Sequence, residues 1–326
     1  MDEGMDGETL TLVTRRACFG LPTACPTCLP VFVYLRFAKL PFNVEYNLIY
    51  PDSDQIPYVE SGTYVAYNNE NGGVIQKLKD DKIVDLDSEV RGIPEWISTK
   101  AMVDSWLAEA VIYELWIACD SISANKIYYS DLPWPIGKCL YLKQIHSVKQ
   151  LLGITKENAD RREEEIYKKA TTAYSALSTR LGEQSFLFEN RTTSLDAAFL
   201  GHALFTLHAL PETSVLRSKL LEHSNLVRYT EDLKLEFLDA DTSSSAPKSQ
   251  SDPSASAARR GPSDWRSTPK SKPKREKTEE EKKFKRRAKY FLVTQLVAVL
   301  VFLSLLGGSN DTEVELEDDD DGFSYE

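Results

Sequence analysis

Residues 1–10, MDEGMDGETL, lack both a basic, apolar-cored signal and an Arg-rich transit pattern, so they are not expected to act as a leader. The sequence holds no Walker loop, no GxGxxG and no nucleophile elbow, so P-loop, dinucleotide and α/β-hydrolase chemistry lack their carriers. Histidine is scarce. The four present, His146, His202, His208 and His223, show no spacing with carboxylates or cysteines that would build a hydrolytic or metal site. His202 and His208 fall in an apolar run and read as core residues. Five cysteines, an odd number, argue against a disulfide framework and for reduced thiols. No cofactor and no metal is expected.

Positive charge is missing from the last 37 residues, and its distribution divides the chain. Residues 1–240 carry 24 Lys and Arg against 34 Asp and Glu, with enough Leu, Tyr, Phe and Trp for a substantial core. This part is too acidic to bind nucleic acid by charge. Residues 241–289 reverse the sign, with 15 basic against seven acidic residues, ten Ser and five Pro. Such a composition cannot offset the entropy of ordering and reads as a disordered tether over 240–289. Residues 1–8 read as a disordered start.

Only one long hydrophobic run exists, Phe291–Leu306, and with Tyr290 and Gly307-Gly308 it reaches 19 residues. At about 1.5 Å per residue it is near the lower limit for crossing a hydrocarbon core of about 30 Å. Lys282, Lys283, Lys285, Arg286, Arg287 and Lys289 precede it, whereas residues 309–326 hold nine carboxylates and no base. A core helix has no reason to sit between such flanks. The pattern predicts a single carboxy-terminal transmembrane helix over 290–308, with Lys285, Arg286, Arg287 and Lys289 on the cytosolic membrane surface and the acidic tail across it. A short, modestly apolar anchor with a basic flank suits the mitochondrial outer membrane best and the plastid envelope next. The basic run abutting the anchor needs no nucleic-acid partner to explain it.

Taken in order, residues 9–90 alternate. Thr9–Thr14 predicts a strand, Cys28–Lys39 a buried helix stopped by Pro41, Phe42–Ile49 a second strand, Ile56–Glu60 and Tyr64–Tyr67 a hairpin, and Val74–Lys79 a helix opened by Gly72-Gly73. That is the order of a thioredoxin-like half. From Thr99 the pattern is helical, and residues 91–239 predict an all-helical half. Glu114 falls on the apolar face of a long helix, as an edge position or a buried acid needing a partner. Asp131–Ile136 breaks the pattern, and a helix over Asn158–Leu181 stops at Gly182. Thr193-Ser194-Leu195-Asp196 is a capping box with Asp in the Glu slot, before a run apolar on every side. That run predicts the buried central helix, and its cap is worth about 1 kcal/mol.

Cys25-Pro26-Thr27-Cys28 lies at the start of the first helix. There the helix dipole favours the thiolate of Cys25, compatible with redox or conjugation chemistry. Two buried structural thiols fit the same spacing. Zinc would need ligands that no second CxxC or His pair supplies.

A thioredoxin-like half followed by a helical half with this capping box resembles the glutathione-transferase fold. More narrowly, the chain resembles the metaxins. The residues that carry the likeness are Gly20-Leu21-Pro22, Tyr34-Leu35-Arg36-Phe37, Ile56-Pro57, Pro133-Trp134-Pro135, Ala176 to Gly182 with Phe186-Leu187-Phe188, Ser194 to Ala197, and His223 to Leu226 with Tyr229. They run in order from about residue 9 to 238, and the anchor after a long linker is similar to the plant-type member. The resemblance implies a non-enzymatic role in mitochondrial outer-membrane protein import and β-barrel assembly. Its implied partners are the β-barrel core of the sorting and assembly machinery, other outer-membrane import subunits, precursor proteins and membrane lipid. It also marks vestiges of a glutathione site. Pro57 matches the cis-proline junction that holds the glutathione backbone, but Asn71-Gly72 stands where a transferase has an acid or amide followed by Ser. The rival reading is a membrane-tethered glutathione-dependent transferase or thiol oxidoreductase using Cys25 and Cys28.

Overall fold

The computed structural model describes residues 9–47, 53–70, 72–119, 121–188 and 190–238, with Thr294, Gln295 and Val297. The chain separates into two units, Met1–Gln250 and Ser251–Glu326. In the second, the three described residues lie within the apolar run, and Thr294, Gln295 and Val297 are helical. The tether over 240–289, Lys285, Arg286, Arg287 and Lys289, the rest of the span 290–308 and the acidic tail lie outside the described residues. Among the described residues no helix is long and apolar enough to cross a membrane.

The first unit begins with β1 (Leu10–Thr14), α1 (Cys28–Phe37), β2 (Phe42–Tyr46), β3 (Tyr58–Ser61), β4 (Tyr64–Tyr67) and α2 (Gly73–Asp80). The strands form one sheet in the order β2-β1-β3-β4. β1 pairs parallel to β2 with Leu12 opposite Val44, and antiparallel to β3 with Leu12 opposite Val59. A parallel neighbour requires a crossover, and α1 supplies it. β1 is central and almost wholly buried, whereas β2 is an edge strand that keeps three of its five side chains in solvent. Tyr58–Tyr67 closes the hairpin, and the Ile56–Pro57 peptide before it is cis.

The helical half comprises α3 (Pro94–Met102), α4 (Ala108–Tyr113), α5 (Ile122–Ala124), α6 (Trp134–Leu151), α7 (Ala159–Leu181), α8 (Ser194–His208), α9 (Val215–Leu221) and α10 (Ser224–Phe237). The helical chain starts at Pro94, five residues before Thr99, because Pro at the first turn loses no intrahelical bond. π-helical turns at Val103–Leu107 and Glu114–Ala118 flank α4, a local rewinding that hydrophobic periodicity does not report. Within Asp131–Ile136 the break ends at Pro133, and α6 starts at Trp134 with its prolines at the amino end. Glu114 is buried. Its carboxylate accepts from the Tyr167 hydroxyl at 3.0 Å, the Leu216 amide at 2.8 Å and the Cys119 thiol at 3.1 Å, so it ties the α4 rod to α7 and to the start of α9.

The run behind the capping box is α8, with thirteen of its fifteen residues buried, which leaves it no polar face to offer water. Its role is wider than that of a helical-domain core. α8 lies against α1 of the thioredoxin-like half, and one hydrophobic core runs through both halves. Gly201 makes this approach possible: a Cβ there would sit 2.7 Å from Pro30 Cγ and 2.8 Å from Pro30 Cδ.

Candidate functional site

Two places between the halves hold the chemistry-bearing residues. One is an open cleft of about 590 Å³. Pro26 and Thr27, Gly72 and Gly73, Lys79, Lys100 and Asp104 contribute to its wall, with Val103, Ala108 and Val111 as apolar floor. Gly72 caps α2 from a left-handed conformation, φ +87°, and no side chain caps it. Asn71 lies outside the described residues. The lysines of the cleft already have partners: Lys100 bonds Asp104 at 2.6 Å, and Lys79 pairs with Asp87. Pro57, in its cis peptide, is not among the lining residues.

The other place is a closed seam beneath the cleft, and Cys25 and Cys28 belong to it. Both are buried, at 1% and 0% exposure, and neither lines the cleft. The CxxC spacing puts Cys28 at the first position of α1, while the carbonyl of Cys25 accepts from the amides of Cys28 and Leu29 at 3.1 and 3.0 Å. The Cys25 sulfur lies 3.1 Å from Thr27 Oγ1 and 3.3 Å from the hydroxyl of Tyr128, which comes from the helical half. Arg15, directly after β1, places its guanidinium 5.5 Å from the Tyr128 ring centroid and donates to the Ser53 carbonyl at 3.0 Å. Burial works to raise the Cys25 thiol. Bonds from Cys28, Thr27 and Tyr128 and the charge of Arg15 outweigh it, and the pKa falls to about 5. Cys28 moves the other way, raised by burial and by the neighbouring Cys25.

The seam continues on both sides of this sulfur. Arg16 bonds Ser130 at 2.8 Å and Asp131 at 2.7 Å, and Lys126 stands 4.1 Å over the Phe19 ring. Farther along α8, Thr193 and Asp196 make the reciprocal cap: the Thr193 amide donates to Asp196 Oδ2 at 2.9 Å, and Thr193 Oγ1 accepts from the Asp196 amide at 3.4 Å. Asp196 does more than close a cap. Its carboxylate also takes the Thr193 hydroxyl at 2.7 Å, the Leu187 amide at 2.9 Å and the Tyr229 hydroxyl at 2.5 Å. Burial still holds its pKa above the ordinary carboxylate value. Next to it, Asp87 accepts from the Ser194 amide at 2.7 Å and the Ser194 hydroxyl at 2.5 Å, so an acid from the connector joins α2 to the first turn of α8.

His202 reaches the Tyr174 hydroxyl with Nε2 at 2.6 Å inside the core, and burial pushes its pKa down to about 3. His208 sits 3.2 Å from Glu231. No cluster of three or more His, Cys, Asp or Glu able to hold a metal occurs among the described residues. Arg15, Tyr128, Lys79 and Asp87 escaped the sequence because their partners are far along the chain. Only the position of Arg15 at the end of the first strand, level with the coming helix start, hints at its role.

Residues 26–122 match the family model of the glutathione S-transferase N-terminal domain, and residues 170–233 that of the glutathione S-transferase C-terminal domain. Over 321 residues the chain is 57% identical to the Arabidopsis thaliana protein named "Mitochondrial outer membrane import complex protein METAXIN", covering 98% of this chain and 100% of that one. The chain belongs to the metaxin family. Metaxin-2 of Homo sapiens is 27% identical over 69% of this chain and 83% of its own length. Metaxin-1 of Mus musculus is 27% identical over 65% and 69%. Among solved structures, the glutathione transferase GSTFuA2 of Phanerochaete chrysosporium aligns with a TM-score of 0.47 at 11% identity, over 71% of this chain and 99% of that one. A likeness at that level decides nothing about activity.

Proposed function

We propose that this chain is a non-enzymatic component of protein import and β-barrel assembly at the mitochondrial outer membrane. The observation that carries the reading is the 57% identity over nearly the whole chain to a plant protein named for the outer-membrane import complex. Residues 290–308 serve as its single membrane span, with the thioredoxin-like part 9–90 and the helical part 91–239 on the cytosolic side and the tail 309–326 in the intermembrane space. Lys285, Arg286, Arg287 and Lys289 hold the cytosolic flank. Its partners are the β-barrel core of the sorting and assembly machinery, other import subunits and precursor proteins.

The burial of Cys25 supports this reading, because chemistry at that thiol needs it beside the substrate, and Cys25 is 1% exposed and meets the cleft only through Thr27. Isolation of the chain from detergent-solubilised outer membranes tests the proposal. The β-barrel core of the assembly machinery should come with it, and deleting residues 282–326 should release the protein from carbonate-washed membranes. Recovery of the full chain without any import subunit would refute it. The rival, a glutathione-dependent transferase or thiol oxidoreductase using Cys25 and Cys28, draws on the matched transferase domains and the lowered Cys25 thiol. It requires glutathione to bind the cleft and turn over, with loss of turnover in Cys25→Ser.

A further inference from the structure

The proposed import role leaves the groups around Cys25 unused. A structural thiol requires only an apolar slot, yet this sulfur is met by two hydroxyls, with Cys28 three residues on and the Arg15 guanidinium beside the Tyr128 ring. We propose that Cys25 and Cys28 are a peroxide-reactive dithiol, a modification site that closes to a disulfide inside the seam between the two halves. The geometry gives the two sulfurs different roles. Thr27 and Tyr128 point hydroxyls at Cys25 from within 3.3 Å, and Arg15 adds positive charge, so the anion forms there. Cys28 stands three residues on, at the first position of α1, and burial and the neighbouring Cys25 raise its thiol, so it keeps its proton. Such a pair has one attacking and one resolving sulfur.

Burial selects the reagent. Cys25 is 1% exposed, and the two side chains whose hydroxyls meet its sulfur, half-buried Tyr128 and exposed Thr27 at the cleft wall, cover it. So small an opening favours a small neutral oxidant, hydrogen peroxide, over a charged tripeptide thiol, and the oxidant enters when this cover opens locally. The Cys25 thiolate attacks one peroxide oxygen, the O–O bond breaks, and the departing hydroxide takes a proton to become water, leaving a sulfenic acid on Cys25. Cys28 then attacks the Cys25 sulfur; the S–S bond forms, the S–O bond breaks, and the leaving hydroxide carries off the Cys28 proton as a second water. Two thiols lose two electrons together, and one hydrogen peroxide becomes two waters. A small dithiol reductant reverses the change.

The other cysteines serve as internal standards. Cys139 is exposed, and Cys18, partly buried, has its thiol raised by burial. Trypsin releases residues 17–36 as one peptide with Cys18, Cys25 and Cys28, so a Cys18→Ser background leaves only the pair. The full-length protein, in detergent micelles, is treated with hydrogen peroxide, blocked with N-ethylmaleimide and digested. The expected result is a peptide lighter by two hydrogens and unlabelled, formed before Cys139 is oxidised. Cys28→Ser should stop at a sulfenic acid on Cys25 that dimedone captures, and Cys25→Ser should leave Cys28 labelled. Tyr128→Phe, which keeps the ring but removes the hydroxyl, should slow Cys25 oxidation several-fold without lowering the melting temperature by more than a few degrees. The proposal is overturned if both thiols of the otherwise native protein stay reduced while Cys139 oxidises, or if Tyr128→Phe oxidises as fast as its parent.

Discussion

The cleft and the seam are built by the same two halves, yet they spend their residues in opposite ways. The cleft is open and lined with Val, Ala and Gly, and its lysines are occupied by neighbouring carboxylates. In the seam the two buried acids are each met by several donors: Asp196 by four and Asp87 by Ser194 and Lys79. What the joint secures is the fixed docking of α1 on α8.

The comparison can be broken most sharply at Asp196. Removing it strands three buried donors besides the cap itself, so Asp196→Ala should cost about 3 kcal/mol or more, not the 1 kcal/mol of an ordinary cap. Chemical denaturation of the folded unit reads this directly, and a loss near 1 kcal/mol would mean the seam is no tighter than a surface turn. Gly201→Ala comes next. Its new Cβ would lie under 3 Å from three Pro30 atoms, two of them ring carbons, forcing α8 and α1 apart for about 2 kcal/mol. An unchanged midpoint would show that the helices yield freely.

His202 sharpens the comparison through pH. Its folded pKa, about 3, lies below the ordinary 6.5, so the neutral ring is favoured by the fold. Above pH 6.5 neither state takes a proton there and the contribution is constant. As pH falls from 6.5 toward 3 the unfolded chain binds the proton first, and stability should drop by about 1 kcal/mol per pH unit. His202→Gln should flatten that slope, and an equal slope would place the titration elsewhere. The smallest effect belongs to the cleft: Lys100→Ala, which removes an exposed helical pair with Asp104, should change stability by about 0.5 kcal/mol or less. A larger loss would show that the cleft wall is structural after all.

What could be read from the sequence follows the range of the physics. The capping box is four residues long, and Thr193 with Asp196 stand in the structure at the start of α8 as the spacing predicts. The order of the elements in the first half was legible because the strands announce themselves by near-alternation and the helix between them by apolar residues too closely spaced for it. β2 ends at Tyr46, short of the expected Ile49. The π turns at Val103–Leu107 and Glu114–Ala118 left no trace, since adding one residue to a turn shifts the apolar face without abolishing it. Least legible was the seam. Tyr128 reaches Cys25 across 103 positions and Asp87 reaches Ser194 across 107, distances at which one sequence carries no pairing signal. For that reason Cys25 and Cys28 could be placed at a helix start from their spacing, while their turn away from the cleft could not.

The proposed import role needs the carboxy-terminal segment and no thiol chemistry at the cleft. The most direct test is the rate at which a radiolabelled β-barrel precursor assembles in mitochondria whose only copy of this chain carries Cys25→Ser and Cys28→Ser together, under reducing conditions. The account predicts a rate close to that with the parent chain, set beside a clear loss when residues 282–326 are removed. Assembly reduced by the double substitution as far as by loss of the anchor would contradict it.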